Sequence, residues 1–406
     1  MGSLVRLAAR NVRRQRLRTA MTLAAIVFGV AGIVLSGGFV HDIFIQLGEA
    51  LIHSQSGHLQ LAKRDFFTLG SRKPDQYVIA DPKAVAAAVA ALPEVDDAMQ
   101  RLNFSGLLTN GRSDLAIIGE GLEPEREARL GTFLVLAAGR MLEEKDRYGI
   151  LLGHGVARAL KLEPGDRASL VVNTADGAMN TLDFEVIGVF RSFSKDYDAR
   201  AVRIPLPAAQ ELLDSKGANV IVASLKRTRD TERVAGSLAA SLGARQLEVK
   251  RWDELNDFYA KTVELYDRQF GVLQLIILAM VLLSVTNTVN MTVFERAGEF
   301  GTMRALGNRG VDIFALVLVE SALLGLIGAT AGVILGVLLA WVISAIGIPM
   351  PPPPNADIGY TAQIRIVPSV VAGAFAVGVF ATTLAAVLPA LRVARGNVVD
   401  ALRQNV

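Results

Sequence analysis

One short segment of the sequence gathers charged side chains between two strongly apolar stretches: VFERAGEFGTMRALGNRG, residues 293–310. If 294–306 forms a helix, Arg296, Phe300 and Arg304 share a stripe, because residues four apart lie on one helix face. An ordered set of charges of this kind specifies a binding partner. One interpretation of the pattern is therefore a docking helix for a soluble protein.

The same segment carries features that weaken a helix. Glu295 and Glu299 are like charges four residues apart, a pairing that costs a few tenths of a kcal/mol. Gly298 and Gly301 in the helix interior cost about 1 kcal/mol each relative to alanine, although glycine also lets another backbone approach closely. A flexible loop with turn glycines and ordinary cytoplasmic positive charge explains the pattern equally well.

No other residues have the spacing of a catalytic or metal site. The four histidines are His41, His53, His58 and His154, and they do not lie on one helix face at metal-ligand spacing. The sequence contains no cysteine, no G-x-S-x-G and no G-x-x-x-x-G-K-[ST], which excludes thiol chemistry and Walker-type ATP binding by these residues. We therefore expect no catalytic, cofactor-binding or metal-binding residue on this chain.

The composition indicates a membrane protein with a large water-exposed part. Hydrophobic residues make up 51% of the 406 residues and charged residues 20%, and the mean hydropathy is +0.39. So apolar a chain of this length points to membrane spans. The net charge of only +3 gives no indication of nucleic-acid binding.

Four apolar runs are long enough to cross a bilayer, which takes about 20 residues. A cleaved signal peptide is the alternative for the first run, but the run is long for a signal core, and we expect a retained helix. The third run exceeds one crossing, which predicts tilt or extension beyond the bilayer. The four predicted transmembrane segments are 20–40, 269–292, 311–347 and 367–391.

Arginines set the predicted orientation. Six of them precede the first run and no acidic residue occurs before Asp42, so residues 1–19 are predicted to be cytoplasmic. Four crossings return the tail, 392–406, to the same side and place 293–310 in the cytoplasm. Residues 1–19 are predicted to form an amphipathic helix on anionic lipid, with a disordered basic leader as the alternative.

The residues between the first two runs, 41–268, are predicted to form a large extracytoplasmic α/β domain. In DPKAVAAAVAALPEV (81–95), a capping Asp and an opening Pro predict a helix. GHGVARALKLEPGDRASLVV predicts helix, turn and strand. DLAIIGEGL and TLDFEVIGVF are typical of strands, and LPAAQELLDS and DTERVAGSLAASLG of helices. The outer loop 348–366 contains Pro351–Pro354, which predicts a stiff, extended segment.

Three kinds of residue inside the predicted spans are candidates for helix contacts. Glu320 is an acid within the third span, which is a functional hypothesis by default, with an interfacial position as the alternative. Asn287 and Asn290 near the inner end of the second span are candidate interhelical hydrogen-bond partners. Small residues at four-residue intervals in the third span predict close helix packing: Gly328, Gly332 and Gly336.

The 293–310 segment resembles the region after the second span of FtsX-like ABC permeases. Their usual pattern is E-R-x-x-E-[IF]-G-x-x-R-A-[LI]-G. The chain agrees with this pattern at nine positions, which the resemblance marks as ATPase-coupling residues: Glu295, Arg296, Glu299, Phe300, Gly301, Arg304, Ala305, Leu306 and Gly307.

Other parts of the chain are similar to the same family, so the resemblance covers nearly its whole length. RLAARNVRRQRLRTAMTLAAIVFGV resembles the family's basic N-terminus and first span. SGHLQL (56–61) is similar to a motif of the lipoprotein-release (LolC/LolE-like) branch. ILLGHGVARALKLEPGDRASLVV resembles the MacB-like periplasmic core domain, and LPALRVARGNVVDALR the family's C-terminal tail.

The resemblance implies a permease subunit that works by mechanotransmission. Two cytoplasmic ATPase subunits per complex, which hold the ATP and Mg, would bind the coupling helices of two permeases, identical or related. The motion would reach an envelope substrate outside a bacterial inner membrane. A periplasmic carrier or adaptor and the surrounding lipids are further expected partners.

Three alternatives differ in what the outer domain does. The chain length, SGHLQL and the lack of a fused ATPase favour lipoprotein release, whereas the loop PMPPPPNADIGYTA departs from that branch. MacB-like efflux of peptides or amphiphiles is the second hypothesis. FtsX-like regulation of a cell-wall hydrolase is the third, and the size of the outer domain argues against it. A receptor would need a signalling output domain, which the sequence lacks.

Overall fold

The computed structural model describes residues 6, 10, 16–70, 74–174, 176–243, 246–352 and 359–395. The described residues divide into two compact units. The described residues of one lie within Met1–Phe44, Val263–Pro349 and Thr361–Val406, and those of the other within Ile45–Thr262 and Met350–Tyr360. The amphipathic helix predicted for 1–19 and the tail at 392–406 lie largely outside the described residues.

Thirteen α-helices occur in the described residues. Their bounds are α1 Arg16–Leu51, α2 Phe66–Leu69, α3 Pro82–Ala90, α4 Pro124–Leu130, α5 His154–Leu160, α6 Lys195–Asp198, α7 Leu206–Leu212, α8 Thr231–Leu242, α9 Trp252–Leu255, α10 Asp257–Glu295, α11 Ala297–Ala305, α12 Gly310–Ile346 and α13 Pro368–Arg395. A π-helical turn, Ile52–Ser56, follows α1.

The strands alternate with the short helices. Their bounds are β1 Leu59–Lys63, β2 Val95–Thr109, β3 Asp114–Leu122, β4 Val135–Gly139, β5 Gly149–Gly153, β6 Arg167–Asn173, β7 Met179–Arg191, β8 Ala201–Pro205, β9 Val220–Leu225, β10 Leu247–Arg251, β11 Ile348–Met350 and β12 Tyr360–Ala362.

The unit around 45–262 is built on one mixed ten-stranded sheet. Its strand order is β10-β1-β9-β2-β3-β8-β5-β7-β4, with β6 pairing β2 and β7 off this path. The pairs β3/β8 and β5/β7 are parallel and the others are antiparallel. Apolar side chains of strands, α5 and α7 form one core. Apolar side chains of other strand residues, α3 and α8 form a second core. The predicted α/β class is confirmed.

Local signals in the sequence account for several of these elements. The Asp81 carboxylate accepts the Ala84 N–H at 3.0 Å and caps α3, as the capping pattern predicts. Gly165 lies in the predicted turn between α5 and β6 with φ +96°, a conformation that favours glycine. The strands predicted in DLAIIGEGL and TLDFEVIGVF are β3 and β7.

Within the other unit, four helices are long and apolar enough to cross a membrane, as predicted. The helix α12 follows the predicted span closely, whereas α1 continues well beyond Val40 and α10 begins well before residue 269. The apolar run of α1 ends near Asp42, but this acid is buried and paired. Its carboxylate accepts the Gln363 N–H at 2.8 Å and the Arg365 Nε–H at 2.7 Å.

Candidate coupling site

The predicted helix over 294–306 is interrupted near its start. Phe294 and Glu295 end α10, and α11 begins at Ala297. Arg296 stands between them with φ −97° and ψ 12°, and its carbonyl oxygen accepts the Phe300 N–H at 3.0 Å. Arg296 is therefore the N-terminal boundary residue of α11, and the segment is a separate short helix.

A glycine ends α11. Gly307 has φ +99°, and its N–H donates to the Arg304 carbonyl at 3.0 Å while the Asn308 N–H donates to Met303 at 3.1 Å. These two bonds form a Schellman motif, which needs the left-handed residue that glycine supplies. The Arg309 N–H then donates to the Asp312 carboxylate at 2.8 Å at the start of α12. The link between the two helices is thus short and hydrogen-bonded.

Arg296 joins three side chains. Its Nη1 donates to both carboxylate oxygens of Glu320 on α12, at 3.1 and 2.8 Å, and its Nε donates to Glu299 at 3.0 Å. The guanidinium carbon lies 5.0 Å from the centroid of the Phe300 ring, within the range of a cation–π contact. The pair of Arg296 and Glu320 is nearly buried, with side chains 11% and 12% exposed.

The two faces of α11 differ in what they contact. Phe300 is 2% exposed and packs with Ile313, Leu316 and Val317 of α12. The stripe predicted as a docking surface is therefore divided, because Arg296 and Phe300 point into the helix bundle. Gly301 is also buried and Arg304 is half-buried. The exposed members of the predicted set are Glu295, Glu299, Ala305, Leu306 and Gly307.

The glycines predicted to pack closely lie against α1. A Cβ atom on Gly328 would stand 2.8 Å from Ile26, one on Gly332 2.8 Å from Val30, and one on Gly336 3.0 Å from Val34. A Cβ contact shorter than 3.0 Å would force the neighbouring atoms to shift. Three glycines on α12 therefore face three β-branched residues on α1, each set at four-residue spacing.

The role of Asn287 and Asn290 as hydrogen-bond partners between helices stays a prediction. Asn287 is exposed and Asn290 half-buried, and no side-chain hydrogen bond from either occurs in the described part of the chain. Their neighbour Thr286 instead donates to the Ala385 carbonyl on α13 at 3.2 Å. Thr286 is the hydrogen-bonding partner between helices that the sequence did not single out.

Two buried arginines in the sheet unit also escaped sequence reasoning. Arg101 Nε donates to Glu127 at 3.2 Å, and Arg203 Nε donates to Glu120 at 3.0 Å and to the Tyr197 hydroxyl at 3.2 Å. Burial raises the pKa of the Glu120 carboxyl, but Arg203 and Arg101 outweigh it and hold the pKa below its ordinary value.

The same two arginines also hold the π-helical turn after α1. Arg203 Nη2 donates to the Ser54 carbonyl at 3.0 Å, and Arg101 Nη1 donates to the Gln55 carbonyl at 2.5 Å. The last carbonyls of a helical segment have no partner within the helix. The buried charges therefore satisfy this turn, and no local sequence signal marks residues so far apart as partners.

His58 sits in a buried chain of hydrogen bonds. Its Nδ1 accepts the Leu225 N–H at 3.1 Å, and its Nε2 lies 3.1 Å from the Thr228 hydroxyl. Thr228 donates in turn to Glu49 at 2.6 Å. Burial lowers the pKa of His58 to about 4, and nearby His53 adds to this effect. His58 is thus a neutral structural histidine; groups able to hold a metal are absent from the described residues.

Comparison with known protein families finds two domains in this chain. The MacB-like periplasmic core domain matches residues 19–241, and the FtsX-like permease C-terminal domain matches residues 271–398. An ABC transporter permease of Methanocaldococcus jannaschii is 25% identical over 84% of this chain and 85% of its own length.

Two further similar proteins are named for the transport system to which they belong. The lipoprotein-releasing system transmembrane protein LolC of Neisseria meningitidis is 23% identical over 80% of this chain and 77% of its own length. The pyoverdine export ATP-binding/permease protein PvdT of Pseudomonas aeruginosa is 28% identical over 84% of this chain, which spans 51% of that longer protein.

Proposed function

The chain belongs to the family of ABC transporter permeases that carry a MacB-like periplasmic core domain and an FtsX-like C-terminal domain, and we propose that α11 couples it to a separate cytoplasmic ATPase. The family implies an ATPase partner and a dimeric permease. The ATP and Mg would be held by that partner. The membrane is then a bacterial inner membrane, with both termini in the cytoplasm.

The observation that carries the coupling proposal is the division of α11 into two faces. The outer face offers Glu299, with Glu295 of α10 just before the helix and Leu306, which is 82% exposed, just after it. The inner face is fixed to α12 through Arg296 and Glu320. A helix held on one side and charged on the other suits the transfer of motion from a docked protein to a membrane span.

For the substrate, we infer extraction of a lipoprotein from the membrane. The likeness to LolC spans most of both chains, and SGHLQL at 56–61 agrees with that branch. ATP closure would move the two α11 helices, and α10 and α12 would carry the movement to the outer unit. The substrate would be handled outside the membrane and would not be threaded through a pore.

Export of a small amphiphile or peptide is the second candidate. It is favoured by the likeness to PvdT, which is named for pyoverdine export. Extraction and export differ in cargo and outer partner: a periplasmic carrier would accept a lipoprotein, whereas an adaptor would receive an exported molecule.

Co-purification in mild detergent from the native membrane tests this function. We expect a soluble ATPase with a Walker motif in equal amount, and a second permease if the pair is heteromeric. Glu299→Ala and Arg304→Ala should reduce the recovered ATPase while leaving membrane insertion intact. Arg112→Ala, on an exposed turn, is the matched control. Full ATPase recovery with both α11 variants would count against coupling through this helix, and co-purified lipoproteins or an adaptor would decide the cargo.

A further inference from the structure

A cavity of about 430 Å³ opens at the carboxyl ends of β5 and β7. The two strands are parallel neighbours, with Gly153 paired to Phe190. The segments that follow them therefore leave the sheet at the same edge. In open α/β sheets, ligands bind in the crevice outside the carboxyl ends of parallel strands. This cavity has that position and a volume typical of small-molecule sites.

The cavity is lined mainly by basic side chains. His154 and Arg158 come from α5, Arg191 from the end of β7, and Lys195 from α6. Asp196 and Asp198 also line it.

The Asp198 carboxylate already has a structural role. This residue is 3% exposed, and its two oxygens accept the Ser192 N–H at 3.0 and 2.9 Å. Its charge is therefore largely committed to the loop after β7. The other charged side chains of the cavity are two arginines and a lysine against one carboxylate, Asp196, and this excess of positive charge favours an anionic ligand.

Arg191 supplies a second, independent indication. Its Nε is buried and has no hydrogen-bond acceptor within the described residues. Its Nη2 lies 3.4 Å from His154 Nε2. Guanidinium groups stay charged and are seldom left unpaired in a protein interior. A turn of the guanidinium towards the cavity would let Nε donate to an oxyanion bound there.

The backbone around His154 is held close to α6. A Cβ atom on Gly153 would lie 2.4 Å from the Asp198 carbonyl oxygen, and one on Gly155 2.6 Å from the Ala199 Cα. Only glycine on both sides of His154 permits this approach. The two basic segments are thereby fixed against each other, as a binding site requires.

We propose that this cavity binds a phosphate group. Arginine forks match the geometry of phosphate oxygens, and two arginines, a lysine and a histidine meet here. The phosphate comes either from free inorganic phosphate or from a phospholipid headgroup. The site lies in the sheet unit and does not depend on coupling through α11.

Histidine NMR of the full chain in detergent tests this site. The chain has four histidines, so ¹³Cε1-histidine labelling gives a simple spectrum, and His154→Gln assigns the relevant signal. Inorganic phosphate and glycerol phosphate are titrated separately, each against sodium chloride of equal ionic strength. We expect a saturable shift of the His154 signal with one or both phosphates, and saturation with glycerol phosphate alone identifies the headgroup source.

Variants decide whether the cavity is responsible. Arg191→Gln and Arg158→Gln should each weaken phosphate binding at least about tenfold, because each removes a charge-assisted hydrogen bond. Arg158 is exposed, so its variant keeps the test valid if Arg191→Gln does not fold. Arg112→Gln is the control and should bind as the parent does. An equal shift with chloride, or unchanged binding in both variants, overturns the proposal.

Discussion

Arg296 and Glu320, 24 positions apart, form an ion pair in which one nitrogen, Nη1, lies 3.1 and 2.8 Å from the two carboxylate oxygens. The pair ties the start of α11 to α12, and both side chains are nearly buried. We therefore expect a movement of α11 to act on α12 directly. The pairing also explains why the apolar helix α12 contains an acid, Glu320, and why an arginine, Arg296, lies at the break between α10 and α11.

Removing one partner of this pair should lower the free energy of unfolding strongly, whereas removing both partners should lower it only a little. Glu320→Ala leaves the Arg296 guanidinium uncompensated, and we expect a loss of about 3–5 kcal/mol in the free energy of unfolding. Replacing both by methionine should restore most of that loss, since apolar packing substitutes for a buried ion pair. Unfolding titrations of the two variants in detergent measure both effects.

A second readout separates transmission from stability. The double methionine variant should still bind the ATPase but lose stimulation of ATP hydrolysis by cargo, because the link between α11 and α12 is gone. Normal stimulation in that variant would show that the pair serves stability alone.

Close packing of α12 on α1 predicts a steep size effect at Gly332. A Cβ there would lie 2.8 Å from Val30 and 2.9 Å from the Val27 carbonyl oxygen, so Gly332→Ala should lower the unfolding free energy by about 1–3 kcal/mol through overpacking. Gly373→Ala on α13 is the control, since no atom lies within 4 Å of its Cβ position. Equal stability of the two variants in the same titration would contradict the close packing.

The buried arginines of the sheet unit predict strong dependence on Glu127. Its carboxylate bonds to Arg101 and lies 3.7 Å from Arg203, so Glu127→Ala leaves buried positive charge uncompensated. We expect a loss of about 3–5 kcal/mol. Glu125→Ala, on the exposed side of the same helix, should change stability by less than about 0.5 kcal/mol. Denaturant unfolding followed by fluorescence compares them, and similar losses in both would refute the role of the buried cluster.

His58 predicts a loss of stability on acidification. Burial lowers its pKa to about 4 from an ordinary 6.5, so between these values the unfolded chain binds the proton and the folded chain does not. The free energy of unfolding should therefore fall as pH drops from 6.5 to 4, by on the order of 3 kcal/mol, and this contribution should be flat above 6.5.

The chain allows this pH effect to be followed near its source. It has two tryptophans, and the Trp252 N–H donates to the His58 carbonyl at 3.2 Å. In a Trp341→Phe background, Trp252 fluorescence reports unfolding of the sheet unit. His58→Asn keeps an acceptor for the Leu225 N–H and should remove this part of the pH dependence, whereas His41→Asn should retain it. An unchanged slope in His58→Asn would assign the pH effect to other groups.

Local patterns allowed much of the fold to be predicted. The cap of α3 and the turn before β6 each depend on residues within a few positions, and the spans follow from uninterrupted apolar sequence. The motif at 293–310 likewise identified the segment that forms α11. In each case the relevant physical interaction lies within one or two helical turns of the chain.

What could not be predicted depends on distant partners. Helical periodicity put Arg296 and Phe300 on one stripe but could not say that this stripe faces Glu320. Asp42 and Arg365 are 323 positions apart, so nothing nearby indicated that the helix would continue past a charged residue. The cavity at His154 and Arg191 exists only because β5 and β7 are parallel neighbours, which the sequence does not encode locally.

The central claim is that the outer face of α11 contacts a cytoplasmic ATPase, and site-specific crosslinking tests it most directly. The sequence has no cysteine, so Leu306→Cys carries a photoreactive probe at one position on the full chain in its native membrane. Leu338→Cys, on an exposed part of α12, is the control. The account predicts a crosslink from position 306, and not from 338, to a soluble protein with a Walker motif. Crosslinks from 306 to lipid or to other proteins, with the ATPase never among them, would contradict it.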